Sequence, residues 1–580
     1  MRTIAGISFR SNRQKGSALA LTMVMSAIAL AVLAGAMAWS SGSTRLTDRS
    51  IQYSRAVEGA EAATEKAVGH IFHDFLYGGS ILVNNSLDEY RKKTIPTTAD
   101  SAYWSGWEFS DAKGNVGQTS VEAGDASKYV VLNSTYSGLH GYLTTYNVTS
   151  HARDTAAYSG GSLKSVTAGV FQEVKLETIP IFQFAMYSSG DMEISCGQPL
   201  DIAGRVHANG MLYVEPDNKM TFESAVTAVQ DILFQRNPLD PRGTTPNGAE
   251  PVYVNPDEKQ AHVPSMSLPI GTTNSPEAVR EIIEPPPPGG DTNAALAALR
   301  YYNKSQVIVE VSDSGTTVKS GTTTIPDAEV QKFVSTANSF WDAREQKTVA
   351  PVDIDVGALK TWSETSPELG KALGGIPLSS VYVYDHRNLA NTQLNAVRVT
   401  NGKVLPVNGL TVSTGRPLYV QGDYNELSDA NLGTGDTSQT RPASLVGDAI
   451  TILSDGWTDK NSTQPVGSRV AMNTTVNAAF LTGVVETTKD HYSGGMENFP
   501  RFLETWGVIK FTYNGSMVKM FPSLYATAAW NNNGDIYGPP TRNWAYDVNF
   551  EDVNKIPPIT PSLQKVIRGH WATVAAGTTP

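Results

Sequence analysis

Hydrophobic and polar positions at the N-terminal end of the chain form two consecutive patterns. Residues 17–39 are apolar or small, and no charged residue lies between Gly16 and Thr44. A helix of that length measures about 33 Å, enough to cross the hydrocarbon core of a bilayer. Residues 45–75 mix charged residues with small or apolar ones and contain no proline. We therefore predict a transmembrane helix over residues 17–40, continued by an amphipathic helix over residues 41–77.

The amphipathic segment repeats small or apolar residues at intervals of three or four. Side chains with that spacing share one face of an α-helix. We predict a continuous rod of about 85 Å. Its packing face consists of Tyr53, Ala56, Ala60, Ala63, Ala67, Ile71 and Phe75.

Beyond residue 78 the pattern changes to short alternating runs, which are typical of strands. We predict a β-rich region over residues 78–190. Residues 200–208 then align with residues 220–228 at a constant offset, and related apolar runs closed by glycine return later in the chain. Such repeats indicate stacked rungs, so we predict a solenoid-like segment over residues 191–235, with an antiparallel sandwich as the alternative.

The rest of the chain divides by composition. Residues 236–290 are rich in proline and glycine, which predicts a stiff linker or surface loop outside the core. Residues 291–400 predict a small α+β insertion with a helix just after Pro326, and residues 401–580 are again strand-rich. The fold class is therefore α+β but mostly β: one long N-terminal helix and a large exported β-rich region that is partly solenoid-like.

Charge and cysteine content narrow the function classes. The 580-residue chain has a net charge of −11 and no basic stripe beyond its N-terminus, so nucleic acid is not expected as a partner. Cys196 is the single cysteine, which excludes an intrachain disulfide and a cysteine-based zinc cage.

Charge also predicts the orientation of the apolar segment. Four basic residues precede it and no acidic residue appears before Asp48, which keeps the N-terminal end in the cytoplasm. No second apolar stretch of similar length follows. We predict a single pass through the inner membrane, with the remainder periplasmic or at the cell surface. The basic residues are Arg2, Arg10, Arg13 and Lys15.

The sequence offers little that suits catalysis. It contains no nucleophile elbow, phosphate-binding loop or zinc-protease motif. Asp353 and Asp355 would share one strand face, and Asp385 precedes His386, but such pairs are common on exposed strands. We predict no enzymatic activity, no cofactor and no metal site.

Three kinds of N-terminal processing fit the leading segment. Ala36-Met37-Ala38 has the small-x-small form that signal peptidase cuts. An uncleaved signal anchor is the second alternative. The third is a prepilin leader covering residues 1–16, cut between Gly16 and Ser17 with Lys15 beside the cleaved bond.

Two stretches favour the third alternative. Arg13-Gln14-Lys15-Gly16 before the span and residues 55–63 (RAVEGAEAA) after it resemble the type IV pilin superfamily, specifically minor pilins with a PilX-type N-terminal segment. The resemblance covers about residues 10–75. Ser17 and Leu21 stand where major pilins carry Phe or Met and a Glu. Lack of that Glu fits minor pilins and tip-located pseudopilins.

The resemblance implies cleavage by prepilin peptidase and association with other pilin-like subunits and the inner-membrane assembly machinery. The chain would then be a pilus or pseudopilus component, with a tip position suggested by the bulk of its exported part. The alternative is a Sec-secreted surface adhesin or a polysaccharide-binding or -processing β-helix protein, with residues 1–38 as its signal.

Overall fold

The computed structural model describes residues 17–133, 136–155, 165–243, 248–530 and 535–578. The predicted fold class is confirmed: a long N-terminal helix precedes a large β-rich region that is partly solenoid-like. Short helices decorate the β-rich part, at Pro276–Arg280, Ala294–Leu299, Tyr301–Lys304, Asp327–Val330, Val356–Thr365 and Pro367–Ala372.

The N-terminal helix, here called the anchor helix, spans Ser17–Lys93 and has 77 residues. It runs past the predicted end at residue 77, so the predicted β region does not begin at residue 78. Gly79 breaks the helix with a φ of 68°, which glycine adopts without steric cost. Helical structure resumes because Val83 and Tyr90 continue the buried face on the far side of the break.

The anchor helix packs on an antiparallel sheet, here called the front sheet. Its last strand comes from the C-terminus of the chain, where Ser562–Ala575 pairs antiparallel with Ala168–Pro180. The predicted assignment of that strand to a separate C-terminal region is therefore wrong. The other strands are Trp107–Ser110, Ser120–Ala123, Lys128–Val131 and His140–Asp154.

Between those two paired strands the chain forms a solenoid. Its rungs pair in parallel and in register, so that Leu200 lies beside Met220 and Val206 beside Val226, as the 20-residue offset predicts. Inward apolar residues from all faces form one continuous core. The longest face is a twelve-stranded sheet, here called the broad sheet.

The solenoid consists of two arms. Successive rungs of the first arm move outward from the middle of the stack, and successive rungs of the second arm return toward it. The first arm winds outward from Met186–Ser188 through four rungs of the broad sheet. Its strands are Met186–Ser188, Met192–Ile194, Leu200–Ile202, Val206–Ala208, Leu212–Val214, Met220–Phe222, Val226–Ala228, Ile232–Leu233, Val252–Tyr253 and Lys259–Gln260.

The second arm begins at the opposite end of the stack and winds back toward the first. It begins with a hairpin at the far end of the broad sheet. Its last strand in the broad sheet, Met517–Pro522, pairs in parallel with Met186–Ser188. Its strands are Val307–Ser312, Gly315–Ser320, Thr323–Ile325, Val334–Ser335, Phe340–Asp342, Lys347–Asp355, Ser380–Asp385, Gln393–Thr400, Leu410–Thr414, Leu418–Gln421, Ala443–Gly447, Ile450–Leu453, Thr474–Asn477, Ala479–Val484, Pro500–Phe502, Lys510–Gly515, Met517–Pro522 and Thr541–Tyr546.

Residues 291–400 are not a separate insertion. Val307–Ser312 and Ser380–Asp385 are neighbouring rungs of the broad sheet and share the solenoid core. The predicted helix after Pro326 is a single turn, Asp327–Val330, followed by short strands. Val330, Phe333 and Val334 are buried, but they reach the core from a turn and a strand instead of one helix face.

Residues 261–306, here called the return segment, connect the two arms. They cover the outer side of the broad sheet, where Val263, Leu268 and Ile282 are buried. The predicted solvent-exposed linker is therefore wrong over this part. Outward-facing side chains of the sheet contact the segment directly, and the Tyr382 hydroxyl donates a 2.7 Å hydrogen bond to the Ile283 carbonyl oxygen.

Candidate membrane anchor and helix-packing surface

The first half of the anchor helix is not packed against the described part of the protein. Every residue from 17 to 51 is exposed. Among the described residues, Ser17–Lys93 is the one helix long and apolar enough to cross a membrane, with a mean hydropathy of 2.3 over its most apolar window. A bare apolar helix near the N-terminus, followed by a large domain, fits a single-pass membrane anchor.

Of the three predicted processing residues, Ser17 is the first residue of the anchor helix. Lys15 and Gly16 lie outside the described residues. Cleavage between Gly16 and Ser17 therefore stays a prediction.

The second half of the helix packs on the front sheet through its small residues. Ala56, Ala60, Ala63, Ala67 and Ile71 are all buried, as is Phe75. Tyr53 of the predicted face is 43% exposed. Asp154, the last residue of its strand, pairs with Arg55 at 2.6 Å close to this end of the packed surface.

Close approach of helix and sheet depends on the absence of a side chain at Gly59. A Cβ atom there would lie 2.2 Å from Cζ3 of Trp107. Ala60 and Ala63 pack beside this contact against Phe109, so small residues set the spacing between the two layers. Sequence analysis found the alanines but not this glycine, because an isolated glycine in a helix has no periodic signal.

We expect Gly59→Leu to destabilise the helix–sheet packing by about 2 kcal/mol, because overpacking of a filled contact forces the layers apart. Gly69→Leu is the matched control: it lies on the same helix with nothing within 4 Å of its added Cβ. That control should gain up to about 1 kcal/mol from helix propensity. Denaturant unfolding of the detergent-solubilised full chain measures both, and equal effects at the two positions would contradict the packing argument.

Ion pairs connect the anchor helix to the surrounding loops and sheet. Lys66 Nζ lies 2.8 Å from Asp100 Oδ2, and this contact lowers the pKa of Asp100 to about 2. Glu65 pairs with Arg568 on the C-terminal strand, which raises the pKa of that arginine. Such exposed pairs contribute little stability.

The acidic residues considered for chemistry bond to neighbouring groups of the fold. Asp353 Oδ1 accepts a 2.6 Å hydrogen bond from Arg398 Nε, and Asp355 Oδ1 accepts one of 2.8 Å from the Ala358 amide at a helix N-terminus. Asp385 pairs with Arg387 at 2.7 Å. Within the described ranges no group of three or more His, Cys, Asp or Glu side chains is placed to hold a metal ion.

No family model and no curated protein matches this sequence. Among solved structures, the chain is similar to the competence-associated pilin ComZ from Thermus thermophilus. The identity is 11%, with 91% of this chain and 97% of that chain covered, and the TM-score is 0.25. A likeness this low assigns neither a fold nor a function to this chain.

Proposed function

We propose that this protein is a minor-pilin-like subunit of a pilus or pseudopilus, with a structural and not a catalytic role. Its leader is removed after Gly16 by prepilin peptidase, and the anchor helix then spans the inner membrane with a cytoplasmic N-terminus. One observation carries the proposal: a single helix is bare and apolar over one half and docked on an antiparallel sheet over the other.

The bare half is longer than a membrane span requires. At 1.5 Å per residue, residues 17–51 measure about 52 Å, whereas the hydrocarbon core is about 30 Å thick. Ala27, Ala31 and Gly35 recur at intervals of four, and a Cβ at Gly35 would meet nothing within 4 Å. Small residues at that spacing allow two helices to approach closely within a membrane. These features support association with other pilin-like helices.

The size of the solenoid supports a tip position. It occupies the chain between Pro180 and Ser562 and lies at the end of the anchor helix that leaves the membrane. A domain of that size in every subunit would crowd a helical filament, whereas one copy at the tip meets no such limit. The proposed subunit therefore caps the assembly and is not its repeating unit.

The decisive measurement is the mature N-terminus, determined by mass spectrometry on protein from its native membrane fraction. We expect it to start at Ser17. Gly16→Leu should retain the leader, whereas Gly42→Leu, an exposed glycine in the bare half, should be processed normally. A start at Trp39 would instead identify a Sec-secreted protein, and an intact Met1 would identify a simple anchor.

A second measurement addresses the partners. Cys196 is the single cysteine and is buried, so Cys196→Ser provides a background for site-directed cross-linking. In that background Ala31→Cys should form disulfides with cysteines placed in neighbouring pilin-like helices. Leu30→Cys, about 100° around the helix, is the matched control. Equal cross-linking at both positions would argue against a defined helix interface.

A further inference from the structure

A cleft of about 270 Å³ lies where the two arms of the solenoid meet. Ser195 of the first arm forms one wall, and Tyr492, Glu497 and Tyr537 of the second arm form another. Neither arm forms the cleft alone. Because Ser195 is about 300 residues from the other wall in sequence, no local sequence motif predicts the site.

One wall of the cleft is aromatic and held in place by hydrogen bonds. Trp530 Nε1 donates to the Tyr537 hydroxyl at 2.9 Å, and that hydroxyl donates to Asn498 Oδ1 at 2.8 Å. The rings of Tyr492 and Trp530 meet edge to face, with centroids 5.4 Å apart. The rings are thus fixed before any ligand arrives, which reduces the entropy cost of binding.

Polar side chains that can form further hydrogen bonds also line the cleft. Ser195 is 3% exposed, and its hydroxyl has no partner among the described residues. Glu497 accepts a 3.2 Å hydrogen bond from the Ser195 amide, and burial raises the pKa of its carboxyl to about 7. Arg542 Nη2 donates to the Glu497 carbonyl oxygen at 3.0 Å, while its Nε is unpartnered within the described part of the chain. A buried polar atom without a partner is costly, which indicates that a ligand or water completes the set.

The charges around the cleft nearly cancel. Of the charged residues that line it, Arg242 pairs with Asp240 at 2.7 Å. Asp217 pairs with Arg236 at 3.0 Å. Such a site has no net attraction for a strongly charged ligand. A saturated sugar ring with apolar C–H faces and hydroxyl groups at its edge matches both walls. Its C–H faces pack on aromatic rings, and its hydroxyls pair with carboxyl, hydroxyl and guanidinium groups.

We propose that this cleft binds a neutral saccharide, with a pyranose ring on the Tyr492–Trp530–Tyr537 wall and hydroxyls bonded to Ser195, Glu497 and Arg542. The site goes beyond the proposed assembly role and does not depend on it. Failure of saccharide binding would leave the position of the mature N-terminus untouched, so the two proposals fail separately.

The test uses the full chain in a detergent without a sugar headgroup, titrated with glucose, galactose, mannose, N-acetylglucosamine, maltose, cellobiose and chitobiose. Calorimetry and tryptophan fluorescence report binding. We expect at least one saccharide to bind, and Trp530→Ala to weaken it at least about tenfold through loss of ring contact. Trp571→Ala, on the C-terminal strand outside the cleft, is the matched control and should bind normally.

Two further variants keep the test independent of folding. Ser195→Ala removes the unpartnered hydroxyl without adding bulk, and it should weaken binding with the unfolding temperature unchanged. Tyr537→Phe releases the Trp530 indole while keeping the ring, and it should weaken binding while the circular dichroism spectrum stays that of the folded chain. Absence of binding across the panel overturns the proposal. So does equal binding by the Trp530→Ala and Trp571→Ala variants, or binding of trialanine in place of every saccharide, which would assign the cleft to peptides.

Discussion

A chain that ends before Ser562 is expected to lose the folded front sheet while keeping its solenoid. The deleted strand pairs with Ala168–Pro180, with one register shift between Arg568 and Trp571, and contributes the fully buried Leu563. Its removal leaves a long unpaired edge beside an exposed apolar layer, which is a template for aggregation.

Limited proteolysis with mass mapping measures this result. Residues 17–180 should become sensitive in the truncated chain, whereas the solenoid, with its own core, should stay protected. A chain ending at Ala575 is the matched control, because it keeps the complete strand and loses only the residues after it. Identical digestion of the truncated and full-length chains would show that the C-terminal strand is dispensable.

Replacement of Asp448 by alanine should cost about 3–5 kcal/mol of unfolding free energy. Asp448 is fully buried in the bend that follows the broad-sheet strand Ala443–Gly447. Its carboxylate accepts hydrogen bonds from the amides of Leu524 (2.6 Å) and Ala526 (2.8 Å). It also pairs with Arg280 of the return segment at 2.8 Å. Alanine would leave these amide donors without their acceptor, and it would leave Arg280 with Glu284, at 2.9 Å, as its remaining carboxylate partner.

Denaturant unfolding of the full chain measures the cost. Asp436→Ala is the matched control: this aspartate is exposed and bonds only locally to Ser438 among the described residues, so its loss should change stability by less than about 0.5 kcal/mol. Arg280→Met should be milder than Asp448→Ala, because Asp448 keeps its amide donors. A similar small effect from all three variants would mean that the return segment is not held through this pair.

Local patterns in the sequence predicted the anchor helix and the first solenoid rungs. The Ala56–Ile71 spacing is a property of consecutive helical turns, and the match between Leu200 and Met220 is a property of adjacent rungs. Both reflect contacts between residues close in sequence, which periodicity reports directly.

The remaining features depend on pairing between distant segments. Nothing near Ser562 indicates that its partner is Pro180, and nothing near Met517 points to Met186. Prolines around Val263 and Ile282 gave the return segment the composition of a linker, although its apolar residues are buried on the broad sheet. The saccharide cleft was missed for the same reason, since its walls come from both arms.

The pairing of Ala168–Pro180 with Ser562–Ala575 also imposes an order on biosynthesis. Roughly 380 residues separate these strands, so at about 5–20 residues per second the first strand waits about 20–75 s for its partner. The anchor helix leaves the ribosome long before that, so in the proposed membrane-anchored subunit insertion precedes closure of the front sheet. During this interval the nascent chain has an open strand edge, and it needs a chaperone or rapid closure of the solenoid to avoid mispairing.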